Sequence, residues 1–214
     1  MPNYNAHTYF GMKVLEELPV EARRSCVEDL PVFRTALYGP DPLLFCSVKA
    51  KRRADYLHKT WREQNLSDLE RSIRLGSGAV RSFAAGYLLH MLLDDAVHAC
   101  VYRKMAEGAN HQRMELALDR IILDELGVDK PPHLATQGRK RTAEAAAGFI
   151  TPAAESQYSI GLLRMSAVTD MIRLREKRFL AGVTRVEAKH AREMREILEE
   201  TISPAAGMLA GLLE

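Results

Sequence analysis

The chain has few of the features that would fix its class cheaply. It holds three cysteines, Cys26, Cys46 and Cys100, with no CxxC pair. An odd and sparse set excludes a disulfide scaffold and a Cys-type structural zinc site, and reads as reduced thiols in or near a core. Charge of one sign is also missing. Thirty Lys and Arg face 28 Asp and Glu, a net charge of +2, and both kinds balance on either side of residue 130. No part is a basic module, so there is no strong nucleic-acid signal. Long hydrophobic runs are absent. The longest, residues 83–93, is broken by His90 and followed by Asp94 and Asp95. A membrane span needs about 20 apolar residues. The start, Met-Pro-Asn-Tyr-Asn-Ala-His, has neither a basic nor an apolar leader, so the expected location is cytoplasmic.

What remains is ordinary globular composition over 214 residues, 47% hydrophobic and rich in Ala, Leu, Glu, Arg and Met. Strand-like alternation and hairpin signals are scarce, which predicts an all-α fold. Helices are expected over residues 8–18, 20–30 (closed by Pro31), 51–64, 67–76 (capped by Ser67), 77–107 (closed by Gly108) and 111–126 (capped by Asn110, ended by Gly127). Gly39-Pro40-Asp41-Pro42 reads as a loop, and 128–140 as a linker. Thr151-Pro152 should open a helix to residue 180, 184–201 should follow, and Ser203-Pro204 should open a short last helix. Residues 1–130 carry the chemistry. Residues 131–214 are expected to pack on them within the same bundle, through Ile160, Leu163, Ala167, Met171 and Leu174. His190, among Lys189, Arg192 and Glu193, reads as solvated. Arg173, Arg175, Lys177 and Arg178 read as the wet side of a helix, with a phosphate patch as the alternative.

The chemistry lies in the histidines. His90, Asp94 and His98 are spaced i, i+4, i+8 and stack on one stripe of an otherwise apolar helix. Burying two imidazoles and a carboxylate there costs several kcal/mol unless they are paired or bind a metal. One His–Asp hydrogen bond would explain two of the three. His111 and Glu115 repeat the i, i+4 spacing on the next helix, which a short connection folds back beside the first. His98, His111 and Glu115 then make a three-ligand set of the kind catalytic zinc uses. Asp41 in the Gly-Pro-Asp-Pro loop, His58, and His7 ahead of Tyr9-Phe10-Gly11 each mean little alone. Together, alternating imidazoles and carboxylates without cysteine pairs point to a multi-zinc hydrolase.

The order His7 with Phe10-Gly11, then Gly39-Pro40-Asp41, His58, His90-x3-Asp94-x3-His98 and His111-x3-Glu115 resembles the bacterial zinc-dependent phospholipase C family, which shares its helical fold with S1/P1-type nucleases. The resemblance covers residues 1–130. It implies two to three zinc ions. His58, His90 and Asp94 would hold one. Asp94 would bridge to a second, with His7 and the N-terminal amine. His98, His111 and Glu115 would hold the third, and Asp41 would be the catalytic base or orient the attacking water. Zinc suits this task because it lowers the pKa of bound water to about 7. Two residues depart from the family pattern. Family members begin their mature chain with Trp, whereas here Pro2 would follow Met1; and Ala99 replaces a Pro after the last His of the central helix.

The implied activity is a phospholipase C-like phosphodiesterase acting on a small phosphodiester or phospholipid headgroup. A nuclease or other phosphoesterase on the same metals is the alternative, and a non-hydrolytic zinc-binding interaction module is a third reading. Tyr4, Tyr9, Tyr56, Trp61 and Tyr102 are the aromatics available to a cationic headgroup.

Overall fold

The structure, a computed structural model, describes residues 4–106, 108–129, 132–133, 137–149 and 154–214. Among these residues there are helices and turns and no strand, so the fold is all-α. The helices are α1 (Tyr4–Glu17), α2 (Val20–Cys26), α3 (Leu30–Ala36), a short 3-10 helix (Asp41–Phe45), α4 (Val48–Gln64), α5 (Leu66–Leu75), α6 (Gly78–Ala106), α7 (His111–Glu125), α8 (Arg139–Ala147), α9 (Ala154–Leu180) and α10 (Arg185–Leu213).

Helix α6 is the axis of the bundle. Its 29 residues span about 43 Å, and α1, α2, α3, α5, α7, α8 and α10 all pack on it. Its first half is buried nearly all round, from Ser82 through Met91. Fully buried Phe83, Leu88 and Leu89 contribute about 1.5–3 kcal/mol each, which holds an axis that also carries buried His90. Gly86 lets α3 come close, since a β-carbon there would lie 2.5 Å from the Phe33 carbonyl oxygen. Asn110 caps α7 as expected, accepting from the Arg113 N–H, and Gly108 and Gly127 take positive φ at the ends of α6 and α7. Among the described residues no helix is long and apolar enough to cross a membrane.

The prolines depart from expectation. The helix expected over 20–30 is not continuous to Pro31: α2 ends at Cys26, and Pro31 sits in the first turn of α3, where Asp29 is the cap. Pro42 likewise opens the 3-10 helix, in the segment read as a loop. A first-turn N–H has no acceptor inside the helix, so proline costs little there. Pro204 lies inside α10 rather than starting a new helix. It forfeits one backbone hydrogen bond, a cost of about 3 kcal/mol, but Ile202, Ala205, Ala206 and Leu209 stay buried on the continuing stripe. Ser67 is not a cap, because α5 begins at Leu66. Part of the expected linker is helix α8. The Thr151-Pro152 start lies outside the described residues.

The C-terminal helices share the core of the first part. Helix α9 packs on the 3-10 helix, α8 on α3 and α6, and α10 on α1, α6 and α7. They do so by a different face from the one the apolar spacing predicts. Tyr158, Leu162, Met165 and Ile172 of α9 are buried, whereas Ile160, Leu163, Ala167, Met171 and Leu174 are all exposed. The buried face includes Gly161, whose missing side chain lets α9 reach the 3-10 helix: a β-carbon would lie 2.1 Å from the Pro42 carbonyl oxygen. A glycine in an apolar stripe looks like a gap to a periodicity argument, which hid this face. His190 is also buried rather than solvated.

Candidate metal centre

Five helices each bring ligand-type residues to one cavity of about 670 Å³. α6 supplies His90, Asp94 and His98 on successive turns; α7 supplies His111 and Glu115 on its first two turns. His7 comes from α1, Asp41 from the 3-10 helix, and His58 from α4. All line the cavity except His90, which is fully buried behind it.

Three groups have ligand atoms within 4.8 Å of one another: His7, His90 and Asp94; Asp41, His58 and His90; and His98, His111 and Glu115. Asp94 is the hub. One of its oxygens is 3.2 Å from His7 Nε2, and the other is 3.2 Å from His58 Nε2, 3.4 Å from His90 Nε2 and 3.7 Å from His98 Nδ1. Asp41 stands 3.3 Å from His58 Nε2, within ligand reach of its group. In the third group His111 Nε2 is 2.7 Å and His98 Nε2 3.6 Å from the same Glu115 oxygen.

The backbone sets the tautomers. His90 Nδ1 donates to the Leu37 carbonyl at 3.1 Å, and His58 Nδ1 donates to the Ala54 carbonyl at 2.9 Å. Each ring therefore turns Nε2 toward the other, and the two atoms are 3.4 Å apart. Two lone pairs at that distance, with carboxylates on either side, require a shared proton or a cation. Histidine metal ligands are oriented in this way, by a donor bond from the second nitrogen. The His7 ring stacks on His90 at 4.1 Å, and its Nδ1 is buried with no hydrogen-bond partner among the described residues.

The electrostatics follow from the crowding. Burial pulls the His58 imidazole down, but Asp41 and Asp94 outweigh it and hold it well above the ordinary range. His90, buried and next to His7, is held below it. Burial would raise the Asp94 carboxyl, yet the imidazoles of His90, His98, His58 and His7 hold it well below the usual carboxylate range. Burial likewise opposes the shift of Glu115, which His111 and His98 bring down to about 2. Without a bound cation the carboxylates depend on protonated imidazoles for compensating charge; a bound divalent ion would supply it directly.

Several supporting residues escaped the sequence reading. Asp95 joins α6 to α4, accepting from Trp61 Nε1 at 3.2 Å and Arg62 Nε at 2.8 Å. Asp119 accepts from the backbone N–H groups of Asn5 and Ala6, which anchors the start of α1 and so places His7. Burial pushes its carboxyl up to about 7 against those bonds. Its signal was present, since His111, Glu115 and Asp119 continue the i, i+4, i+8 spacing seen on α6. Tyr158 of α9 donates to the Gly39 carbonyl at 2.7 Å. Of the five aromatic candidates only Tyr102 lines the cavity, and Tyr4 and Trp61 are buried.

Gly39 itself is part of the centre. Its φ is +51°, and a β-carbon would fall 2.1 Å from the His90 ring. Gly39→Ala is expected to destabilise the protein by about 2–5 kcal/mol, from the left-handed backbone and the forced displacement of His90. Denaturant unfolding measures the first effect and metal content the second. A stable variant with full metal content would refute the close packing of Gly39 on His90.

No family model matches the chain, and neither a curated protein nor a solved structure is found similar to it.

Proposed function

We propose that this protein is a zinc-dependent phosphodiester hydrolase of the phospholipase C type. The observation that carries the reading is the meeting of three ligand groups, rich in imidazole and carboxylate and free of thiol, at one open cavity. Oxygen and nitrogen donors with room for substrate suit catalytic zinc better than a closed structural site. The volume, about 670 Å³, fits a small molecule.

Each side chain has a task in this reading. His58 and His90 would give a metal their Nε2 atoms, because the Ala54 and Leu37 carbonyls hold their other nitrogens. Asp94 belongs to the His7 and His90 group and also faces His58 and His98 of the other two. His98, His111 and Glu115 form the third ligand set. Asp41 offers a buried carboxylate that accepts the proton of an attacking water. Lys59 lines the cavity among carboxylates, so attraction for an anionic substrate would come chiefly from bound metal. The bound metals would supply an activated water and offset charge building on the phosphoryl oxygens. The amine of Pro2, which the family resemblance would recruit, lies outside the described residues.

A nuclease on the same metals is disfavoured by the cavity wall, where Tyr102 is the only Phe, Tyr or Trp side chain among the described residues. Single-strand binders stack successive bases on several aromatics. The test is zinc content of protein purified without a chelating tag, followed by turnover of phosphatidylcholine, glycerophosphodiesters and single-stranded nucleic acid. Two to three zinc ions per chain are expected, with turnover abolished by chelator and restored by zinc. Asp41→Asn should lower turnover by about 10²–10⁴-fold with zinc retained. No zinc, even when zinc is added, would overturn the site. Full zinc without turnover on any phosphodiester would leave the non-hydrolytic module.

A further inference from the structure

The exposed face of α9 is an apolar stripe that the fold does not cover. Ile160, Leu163, Ala167, Met171 and Leu174 follow one another at helical spacing, so they share one side. Leu174 is 80% exposed and the other large ones 42–50%. Arginines border the stripe. Arg164 lies along one edge, where it reaches the Phe45 carbonyl at 3.2 Å, beside Leu44 in the wall of the metal cavity. At the C-terminal end Arg175 and Arg178 join Arg113 of α7 and Phe179 around a second cavity of about 550 Å³. Arg175 and Arg178 make no ion pair among the described residues. At the other end Leu163 shares a shallow cavity with Arg139 and Lys140. Asp170, on the far flank, is paired with His133 at 2.7 Å.

We propose that α9 docks the protein on an anionic lipid bilayer, with the stripe entering the interface and the arginines meeting the headgroups. This inference does not depend on the hydrolytic reading. Exposed apolar side chains rimmed by arginine match a surface that is apolar within and negatively charged at its face. A second copy of the chain fits poorly. A two-fold pairing of this face would set arginines against arginines. The stripe is about 21 Å long and one helix, about 10 Å, wide. That is roughly 200 Å² per copy, where a stable interface needs about 800 Å² per partner.

The test is flotation with two kinds of vesicle, pure phosphatidylcholine and a mixture with about 30% phosphatidylserine, in chelator so that the metal centre takes no part. The wild type should float with the mixed vesicles, stay behind with the neutral ones, and lose binding as salt rises. Arg175→Gln/Arg178→Gln should weaken binding roughly 25-fold, about fivefold per arginine, and Leu163→Ser/Leu174→Ser at least tenfold. All four positions are on the surface, so these variants should fold; circular dichroism checks that. The proposal is overturned if the mixed vesicles do not bind, or if both variants bind as the wild type does. Binding that survives the leucine changes but is displaced by millimolar glycerol phosphate would also overturn it, as headgroup capture in the arginine cavity. So would a concentration-dependent dimer abolished by the leucine changes.

Discussion

Asp94→Ala is expected to leave the protein with one zinc ion, at His98, His111 and Glu115, and to lower phosphodiester turnover by at least ~10³-fold, about 4 kcal/mol. Among the described residues Asp94 is the one carboxylate that faces four imidazoles, within 3.2–3.7 Å. Its removal takes a ligand from the His7 and His90 group and the counter-charge from His58 together. The metal-free protein should also lose about 3–5 kcal/mol, because imidazoles are left buried without their acid. Glu115→Ala is the matching control and should remove only the third ion. Metal analysis beside turnover checks both. Loss of every ion in either variant would mean that the groups do not act as separate sites, and unchanged zinc in Asp94→Ala would remove Asp94 from the ligands.

The second large effect is a change in the sign of pH dependence when metal binds. Burial pulls the His98 imidazole down, but Asp94 and Glu115 outweigh it and push it up to about 9. A histidine raised in the folded state stabilises the metal-free protein fully below its unfolded value of about 6.5, and that contribution is lost as pH rises through about 9. Zinc needs the same nitrogen without its proton. Affinity at the third group should therefore rise about tenfold per pH unit up to pH 9, or ~100-fold from pH 7. Glu115, at about 2, stays charged throughout and adds no slope. Melting temperatures should thus fall with pH in chelator and rise with pH in fixed free zinc over this range. Zinc competition titrations at pH 7, 8 and 9 read the affinity directly; a flat series would mean that His98 is not a ligand.

Only part of this centre is legible in the sequence. Helical spacing places His90, Asp94 and His98 on one stripe and His111 and Glu115 on another, and both stripes reach one cavity. Nothing in the spacing says that Asp94 would meet His7 and His58 as well, since those contacts cross between helices far apart in the chain. The tautomers were equally out of reach. They depend on the carbonyls of Leu37 and Ala54, and a backbone acceptor leaves no mark on side-chain pattern.

By itself the sequence determined the all-α class, the apolar central helix, the caps at Asn110 and Gly127, and the residues from which a metal centre can be drawn. These are local matters, set by helix periodicity and by which residues tolerate a helix end. Packing settles the rest: which face of α9 is buried, that Pro204 stays inside α10, that Gly39 must be glycine, and how the ligands group. Each of these turns on what lies opposite. Gly161 faces Pro42, the stripe of α10 continues past its proline, and the His90 ring fills the space a side chain at Gly39 would need. A chain read alone shows what a face is made of, and packing decides what it is set against.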